Sequence, residues 1–393
     1  MADIAIIYDR SESDELGIRL TAERMGIELG YLPFHKVAFG FGNDGYELRS
    51  SGKDYTEALK ETRVVLNRGQ SKNRRVFAST IMESLGKQVV NPLEVELACQ
   101  SKIRSLLAFM ANGINIPKTV YIPCNVMEEK GEGGSLDNAE SISELIEGQL
   151  GSEVVVKPDA GTHGRSVALA RGHRELVETL RSIEPGITNP AGVVAQELIP
   201  KWFYDLRIIV SKEKDRSPRC EPVALVRGGF KEFRTNTFLG NMVVHVDLPQ
   251  PVRSEAERCG AALAGDSPAW LIALDAMPNI GDDKNADEAE LRRRFQDLEK
   301  PFSEVTKAKA DPNKKTNFEE YSRNVERAYL SYKSTEAYQF IKGVVSESLN
   351  NTADRVVFHE GNSCPEFWEQ TRIIAGINVA ELLLRCAVSL LDR

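Results

Sequence analysis

The first ninety residues alternate between strand-like and helix-like stretches, and that alternation limits the fold more than any other feature. DIAIIY at 3–8 is a short apolar strand, and a helix is expected over Ser13–Met25. IELGYL follows as a second strand and TRVVLNRG, at 62–69, as a third. RRVFASTIMESLG has helical spacing and stops at Gly86, and KQVVNP is a further short strand. Strands joined through helix-length segments run parallel, because the helix carries the chain back across the sheet. A parallel α/β unit is therefore expected over 1–95.

The chain then changes character. EVELACQSKIRSLLAFMAN, at 94–112, reads as one amphipathic helix ending before Gly113. IPKTVYIP is strand-like, NVMEEKGEGGSLDNAE is a polar glycine-containing loop, and a helix is expected at 141–148. RELVETLRSI is helical, and GVVAQELIP, FYDLRIIVS, EPVALVRGGF and MVVHVDLP are strands, so this block reads as α+β with mostly antiparallel pairing. Residues 281–352 are rich in Lys, Glu, Asp and Asn. AELRRRFQDLEKPFSEV and FEEYSRNVERAYLSY have helical periodicity, which marks a helical insertion with KADPNKKTN as a mobile loop inside it. DRVVFHEGNS closes the chain as a strand and INVAELLLRCAVSLLD as an apolar helix, and there is no internal repeat.

Composition narrows the function. The chain has 393 residues, 41% hydrophobic and 27% charged, which is ordinary for a soluble globular protein. A net charge of −8 argues against a nucleic-acid binder. The N-terminus lacks a basic, apolar leader, and no stretch reaches 18 apolar residues, so neither a signal peptide nor a spanning helix is expected. Six scattered cysteines without C-x-x-C point to reduced thiols in a cytoplasm rather than to disulfides or structural zinc.

Four constellations bear chemistry. VVVKPDAGTHGRSVALA, at 154–170, sets Lys157 at the mouth of a loop of small residues. Closely spaced backbone N–H groups with a lysine beside them suit an anion; the same letters also suit a surface hairpin with a solvated lysine. In VVFHEGNSCPEF, Glu360 and Asn362 stand two apart on a strand and share a face, and Asp275 ends the strand WLIALDAMP. Such oxygens suit a hard cation, or simply a strand end with turn-forming residues. In AQELIPKWFYDLRIIV, Gln196 and Glu197 end one strand while Asp205 and Arg207 open the next, a pattern open to an adenine and its ribose or to an ordinary hairpin. In VRGGFKEFRTNTFLGN, Arg227 and Arg234 flank a Gly-Gly turn and Asn236 follows, as a carboxylate or phosphate site or a solvated basic tip would have it.

The order of these pieces resembles the ATP-grasp superfamily, most closely its RimK-like branch of carboxylate–amine ligases. QVVNPLEVELACQSKIRSLLAFMANGINIPKT, KPDAGTHGRSV and HEGNSCPEF followed by GINVAELLL carry the resemblance, which covers most of 60–280 and 353–390. It implies an α/β and α+β fold: a pre-ATP-grasp domain at 1–95, a small lobe with a flexible glycine loop at 96–200, and a large lobe at 201–393 holding the helical insertion at about 281–352. ATP would lie between the lobes, with Lys102 and Lys157 on phosphates and adenine-side groups. Gly161, Thr162, His163, Gly164, Arg165 and Ser166 would close over the phosphates; Gln196, Glu197, Leu198 and Ile199 would hold adenine; Asp205 would sit near the ribose. Asp275, Glu360 and Asn362 would hold Mg2+ or Mn2+. Arg207, Arg227, Arg234 and Asn236 would be catalytic, facing the acyl phosphate or the carboxylate substrate.

The implied reaction is attack of a carboxylate on the γ-phosphorus of ATP, then of an amine on the acyl phosphate, to give an amide. Positioning and charge neutralisation drive such a transfer, and no protein nucleophile is needed. Amino acid or peptide substrates, an acidic or carrier-protein acceptor and a homo-oligomer are expected, without membrane or nucleic acid. Two other readings stand beside it: an ATP-binding regulatory protein of the same fold that does no ligation, and a small-molecule kinase. Gly361, between the presumed metal ligands, and FLGN after the R-x-N motif depart from the branch's pattern.

Overall fold

The computed structural model describes residues 2–10, 12–123, 138–159, 161, 166–183, 192–231, 233–235 and 241–391. The first sheet follows from the alternation. Its elements are β1 (Ile4–Tyr8), α1 (Ser13–Met25), β2 (Leu29–Pro33), β3 (Ala38–Gly42), β4 (Gly45–Ser50), β5 (Lys53–Asp54), α2 (Thr56–Glu61), β6 (Val64–Arg68), α3 (Lys72–Ser84) and β7 (Gln88–Val90). The order β2-β1-β6-β7 is parallel throughout. β3, β4 and β5 form a separate antiparallel sheet that the sequence reading passed over. Their glycines and largely solvated residues give no apolar alternation to read.

The two faces of the parallel sheet go to different places. Ala5, Ile7, Val65 and Val89 pack on Leu59, Ala78 and Met82 in a local core. Ile4, Ile6, Val64, Leu66 and Val90 join the main core instead.

The expected helix at 94–112 is two helices, α4 (Leu93–Gln100) and α5 (Lys102–Ala111). Ser101 separates them. Its backbone is extended, and its side chain accepts from the backbone N–H of Arg104 at 3.2 Å, an N-cap that starts a new helix. Val95, Cys99, Phe109 and Ile114 lie in the main core, so this stretch packs there and not with the small sheet that follows.

The small sheet contains β8 (Thr119–Ile122), β9 (Glu153–Pro158), β10 (Ala168–Arg171) and β11 (Val193–Glu197), with α6 (Ala139–Leu150) and α7 (His173–Ser182) against it. Its order is β10-β9-β11-β8, all antiparallel. Ile122, Ile146, Val154, Val156, Leu176, Leu180, Val193 and Ala195 give it a core of its own.

The large sheet is ordered β15-β14-β12-β16-β17, with β13 on β12. Its elements are β12 (Tyr204–Lys212), β13 (Arg219–Cys220), β14 (Val223–Gly228), β15 (Met242–Asp247), α8 (Gln250–Ala264), β16 (Trp270–Pro278), α9 (Glu288–Lys309), α10 (Phe318–Lys333), α11 (Glu336–Asn351), β17 (Val356–Asn362), α12 (Thr371–Ile374) and α13 (Val379–Leu391). The sequence reading missed α8. It packs so closely that a Cβ at Gly260 would lie 2.5 Å from the buried Trp270 ring.

α9, α10 and α11 are the insertion. It is part of the core rather than an appendage: Tyr332 donates to the Val243 carbonyl at 2.9 Å, and the Tyr204 hydroxyl to Ser348 at 3.2 Å. KADPNKKTN, expected to be mobile, is instead an ordered turn. Asp311 caps it, and Lys314 reaches Glu12 at 3.2 Å and Glu369 at 3.8 Å. Glu369 also accepts from Ser13 and Tyr321 at 2.5 Å each and pairs with Lys309 at 3.0 Å, which ties the insertion to the start of α1. α13 packs on β6 and β7 as well as on β12 and β16, joining the parallel sheet to the large one. Among the described residues, no helix is long and apolar enough to cross a membrane.

Candidate functional site

Antiparallel register builds the floor of the site. Asp205 on β12 stands opposite Arg227 on β14, Arg207 opposite Asp275 on β16, and Asp275 opposite Glu360 on β17. Alternation puts Asp205 and Arg207 on one face and Tyr204 and Leu206 on the other. Charges that lie far apart in sequence thus become cross-strand neighbours.

Asp275 is the hub. Arg207 forks onto it with two bonds of 2.9 Å, from Nε to Oδ1 and from Nη2 to Oδ2. Arg227 Nη2 lies 3.1 Å from Oδ1, and Asn362 Nδ2 donates to Oδ2 at 3.2 Å. Burial alone would raise the Asp275 carboxyl. The two guanidiniums outweigh it and hold the carboxyl well below the usual carboxylate range. Burial likewise pushes Glu360 up, but Lys102 and Lys72 bring it down to about 2. Lys72 Nζ is 3.2 Å from Glu360 and Lys102 Nζ 4.0 Å.

Asp205 was expected beside a ribose. In the structure it is buried, and its oxygens are engaged by protein donors: Arg227 Nε at 2.7 Å on Oδ1, and Thr235 on Oδ2. Lys201 bonds Thr235 at 2.7 Å and stands 3.8 Å from Asp205. Burial would raise Asp205, yet Arg227 and Lys201 leave it lowered. Its place is in the charge network of the floor.

The small sheet faces this floor with lysines. Lys157 is next to last on β9, where Pro158 ends the strand. Burial lowers Lys157 to about 8, and neighbouring Lys102 adds to the effect. Lys102 opens α5 and donates to the carbonyls of Asp159 at 3.1 Å and Gly161 at 2.9 Å. It therefore anchors the start of the glycine loop, and burial lowers its pKa too. Ser166 ends that loop with φ of 55°, a left-handed backbone unusual for serine. Thr162, His163, Gly164, Arg165 and Asn236 lie outside the described residues.

Gln196 is buried and donates to Thr119 at 2.9 Å, while Glu197 accepts from the Lys118 N–H at 2.7 Å. Both side chains are held by the start of β8. Leu198 is half-buried and Ile199 buried beside them. The Arg234 carbonyl accepts from Asn241 at 2.9 Å.

Three residues of this neighbourhood were not anticipated. Lys72 starts a helix in the first unit and belongs to no motif. Lys201 lies inside a stretch that was read, yet it precedes the Asp-x-Arg pattern that drew attention. His359 should face away from Glu360 by alternation. A bulge between Asp275 and Ala276 pairs Phe358 with Ala276 and Glu360 with Asp275, which leaves His359 as the extra residue. Burial, with Lys157 next, lowers its imidazole to about 4.

Gly361, the departure noted between Glu360 and Asn362, has a packing reason. A Cβ there would come 2.4 Å from Leu263 and 3.2 Å from Cys99. These residues of α8 and α4 fill the space an apolar side chain would take.

The donor set fits a hard cation. Asp275 and Glu360 face each other across paired strands with Asn362 beside them, all oxygen ligands. Among the described residues, no cluster of three or more His, Cys, Asp and Glu side chains could hold a metal. Two carboxylates and an amide are at most a partial set, and both Asp275 oxygens are already engaged by Arg207, Arg227 and Asn362.

No protein-family model matches the chain. It is 27% identical over 275 residues to the alpha-aminoadipate--LysW ligase LysX of Sulfurisphaera tokodaii, spanning 70% of this chain and 84% of that one. Over 201 residues it is 24% identical to the coenzyme gamma-F420-2:alpha-L-glutamate ligase of Methanocaldococcus jannaschii, spanning 50% and 60% respectively. A solved RimK domain ATP-grasp protein from Sphaerobacter thermophilus has the same fold, with a TM-score of 0.54 at 14% identity over 98% of this chain and 100% of that one. A charge pattern between a small antiparallel sheet and a large one thus finds its counterpart: the chain has the fold of a RimK domain ATP-grasp protein. The curated relatives are amino-acid ligases, and together with the fold they support an ATP-dependent carboxylate–amine ligase of the RimK-like branch.

Proposed function

We propose that this ligase joins the amine of an acidic α-amino acid to a carboxylate that ATP has activated as an acyl phosphate. Both relatives described above carry an acidic amino acid in their names, which supports the choice of amine. The carboxylate belongs to an amino acid, a peptide or a carrier protein. The observation that carries the reading is the convergence of Asp275, Glu360 and Asn362 with Arg207, Arg227, Lys102 and Lys157 in one charge network.

Asp275, Glu360 and Asn362 would hold Mg2+ or Mn2+. A bound cation of this kind supplies positive charge to phosphate oxygens. Lys157, its pKa lowered by burial and by Lys102, would gain an anionic partner when phosphates arrive. Lys102 keeps the glycine loop anchored so that it can fold over them and exclude water from the acyl phosphate. The substrate carboxylate attacks the γ-phosphorus and ADP leaves. Arg207, Arg227 and Arg234, with Asn236, offer donors to the transferred group and to the tetrahedral centre formed when the amine attacks. The amine loses its proton, phosphate departs and an amide remains. Gln196 to Ile199 would hold the adenine through backbone groups, their side chains being engaged elsewhere. The free thiols of Cys99, Cys220, Cys259, Cys364 and Cys386 support a cytoplasmic setting.

ADP release tests the reading. L-glutamate and L-α-aminoadipate are each paired with a panel of amino acids and with peptides ending in glutamate. Release that needs both partners, with an amide product by mass spectrometry, is expected. Phosphorylated product accumulating without amine would make the protein a kinase, and no release with any pair would remove the proposal.

A further inference from the structure

The insertion has no stated task, yet one of its helices touches the loop that leads from β14 to Arg234 and Thr235. Gly228 and Gly229 let this loop approach closely: a Cβ at Gly228 would sit 2.7 Å from the Phe203 carbonyl, and one at Gly229 2.8 Å from Asn241 Oδ1. Phe230 then lands in an aromatic cluster. Its ring centroid is 5.4 Å from Phe203 and 5.5 Å, edge-on, from Phe295 of α9. Phe295 meets Phe203 at 5.4 Å as well. From the solvent side, the Arg292 guanidinium lies 4.3 Å from the Phe230 ring centroid and is held there by Glu288 at 2.7 Å. Two turns on from Arg292, Glu299 stands 3.8 Å from Lys231.

The far end of the same loop is fixed to the floor, through Thr235 on Asp205 and Lys201. The loop is thus clamped at Phe230 by the insertion and at Thr235 by the charge network, with Arg234 between the clamps. We infer that α9 is a positioning wall for the substrate-side loop, with Phe295 and Arg292 as positioning residues. The insertion would then set how well the carboxylate and amine substrates are held, and not how ATP is held. This rests on the ligase reading for its kinetic consequence, but not for its structural one.

Arg292→Met removes the cation from the Phe230 ring at an exposed position, where the fold tolerates change, and Arg292→Lys keeps it. Phe295→Ala opens the cluster itself. Amide hydrogen exchange is followed across 228–235 and across β12 and β16, without substrates. Faster exchange confined to the loop in Arg292→Met and Phe295→Ala, but not in Arg292→Lys, is expected. Unchanged loop exchange in both variants overturns the inference, whatever the enzyme joins. With the acid–amine pair that wild type turns over, Arg292→Met should raise the KM of that pair ~3-fold, the size of an exposed cation–π contact. The KM for ATP should stay constant. Equal rises for ATP and for the pair would mean a general structural role and would also overturn it. Should wild type release no ADP with any pair, the ligase reading fails while the exchange result still decides this one.

Discussion

The two sheets that face each other across the cleft are charged in opposite ways. On the large sheet every carboxylate of the floor is matched inside the protein: Asp275 by Arg207 and Arg227, Asp205 by Arg227, Glu360 by Lys72. On the small sheet Lys157 is buried beside another lysine, and its pKa falls to about 8. One wall is matched pair by pair and in that sense complete; the other is incomplete, because burial disfavours the charged form of Lys157 and Glu360 and Asp275 only partly offset it. A polyphosphate would offset the rest. The difference also extends to packing, since the large sheet lies in the main core while the small one has a separate core. A complete wall with shared packing suits a fixed floor. An incomplete wall on a separate core suits the side that responds to ligand.

Breaking the complete wall should have the largest effect. Glu360→Gln and Asp275→Asn should each lower the rate of ADP release by about 10²–10³, the range seen when a charge-stabilising group is removed. Asp275→Asn should also lower the melting temperature, because two buried guanidiniums lose their anion. A melting temperature unchanged in Asp275→Asn would argue against its place as hub. On the other wall, Lys157→Met should weaken ATP binding by roughly 1.5–3 kcal/mol, the worth of a charged hydrogen bond, without loss of stability. Calorimetry on the purified variant reads both. Gly361→Val should force a side chain against Leu263 and Cys99 and cost about 1–3 kcal/mol, visible as a lower denaturant midpoint with an unchanged slope.

The subtlest test concerns protons. Folding lowers the Lys157 pKa from 10.5 to about 8. Between those values the unfolded chain binds more protons, so this lysine's contribution to stability rises with pH; below 8 its full cost is present. Phosphates should restore the charged form. ATP binding near pH 8 should therefore take up a fraction of a proton, measured from heats in buffers of different ionisation enthalpy. The uptake should vanish at pH 6 and in Lys157→Met.

Much of this was legible because register is encoded in alternation. Glu360 and Asn362 share a face by counting, whereas Asp275, expected at the end of an apolar strand, lies inside one that runs on to Pro278. The parallel sheet followed from helix-length spacers. What could not be read depended on partners far along the chain. Ser101 divides a helix whose apolar periodicity never breaks. The bulge that frees His359 lies where β17 passes Asp275 and Ala276, and nothing in the letters of β17 marks it. KADPNKKTN is polar enough to be mobile, and only the carboxylates of Glu12 and Glu369 order it. The partners of Asp205 were hidden for the same reason, since Thr235 and Lys201 close on it from a loop and a strand-linking turn.

α13 packs against both the parallel sheet and the large sheet, and this bears on how the chain is made. A ribosome delivers β6 and β7 long before α13, the helix that packs on both. That side of the first sheet must wait for its last packing partner until Val379–Leu391 emerges. During that interval the nascent chain is a natural client for a chaperone that binds apolar strands. The small sheet, sealed by its own helices, can be finished long before.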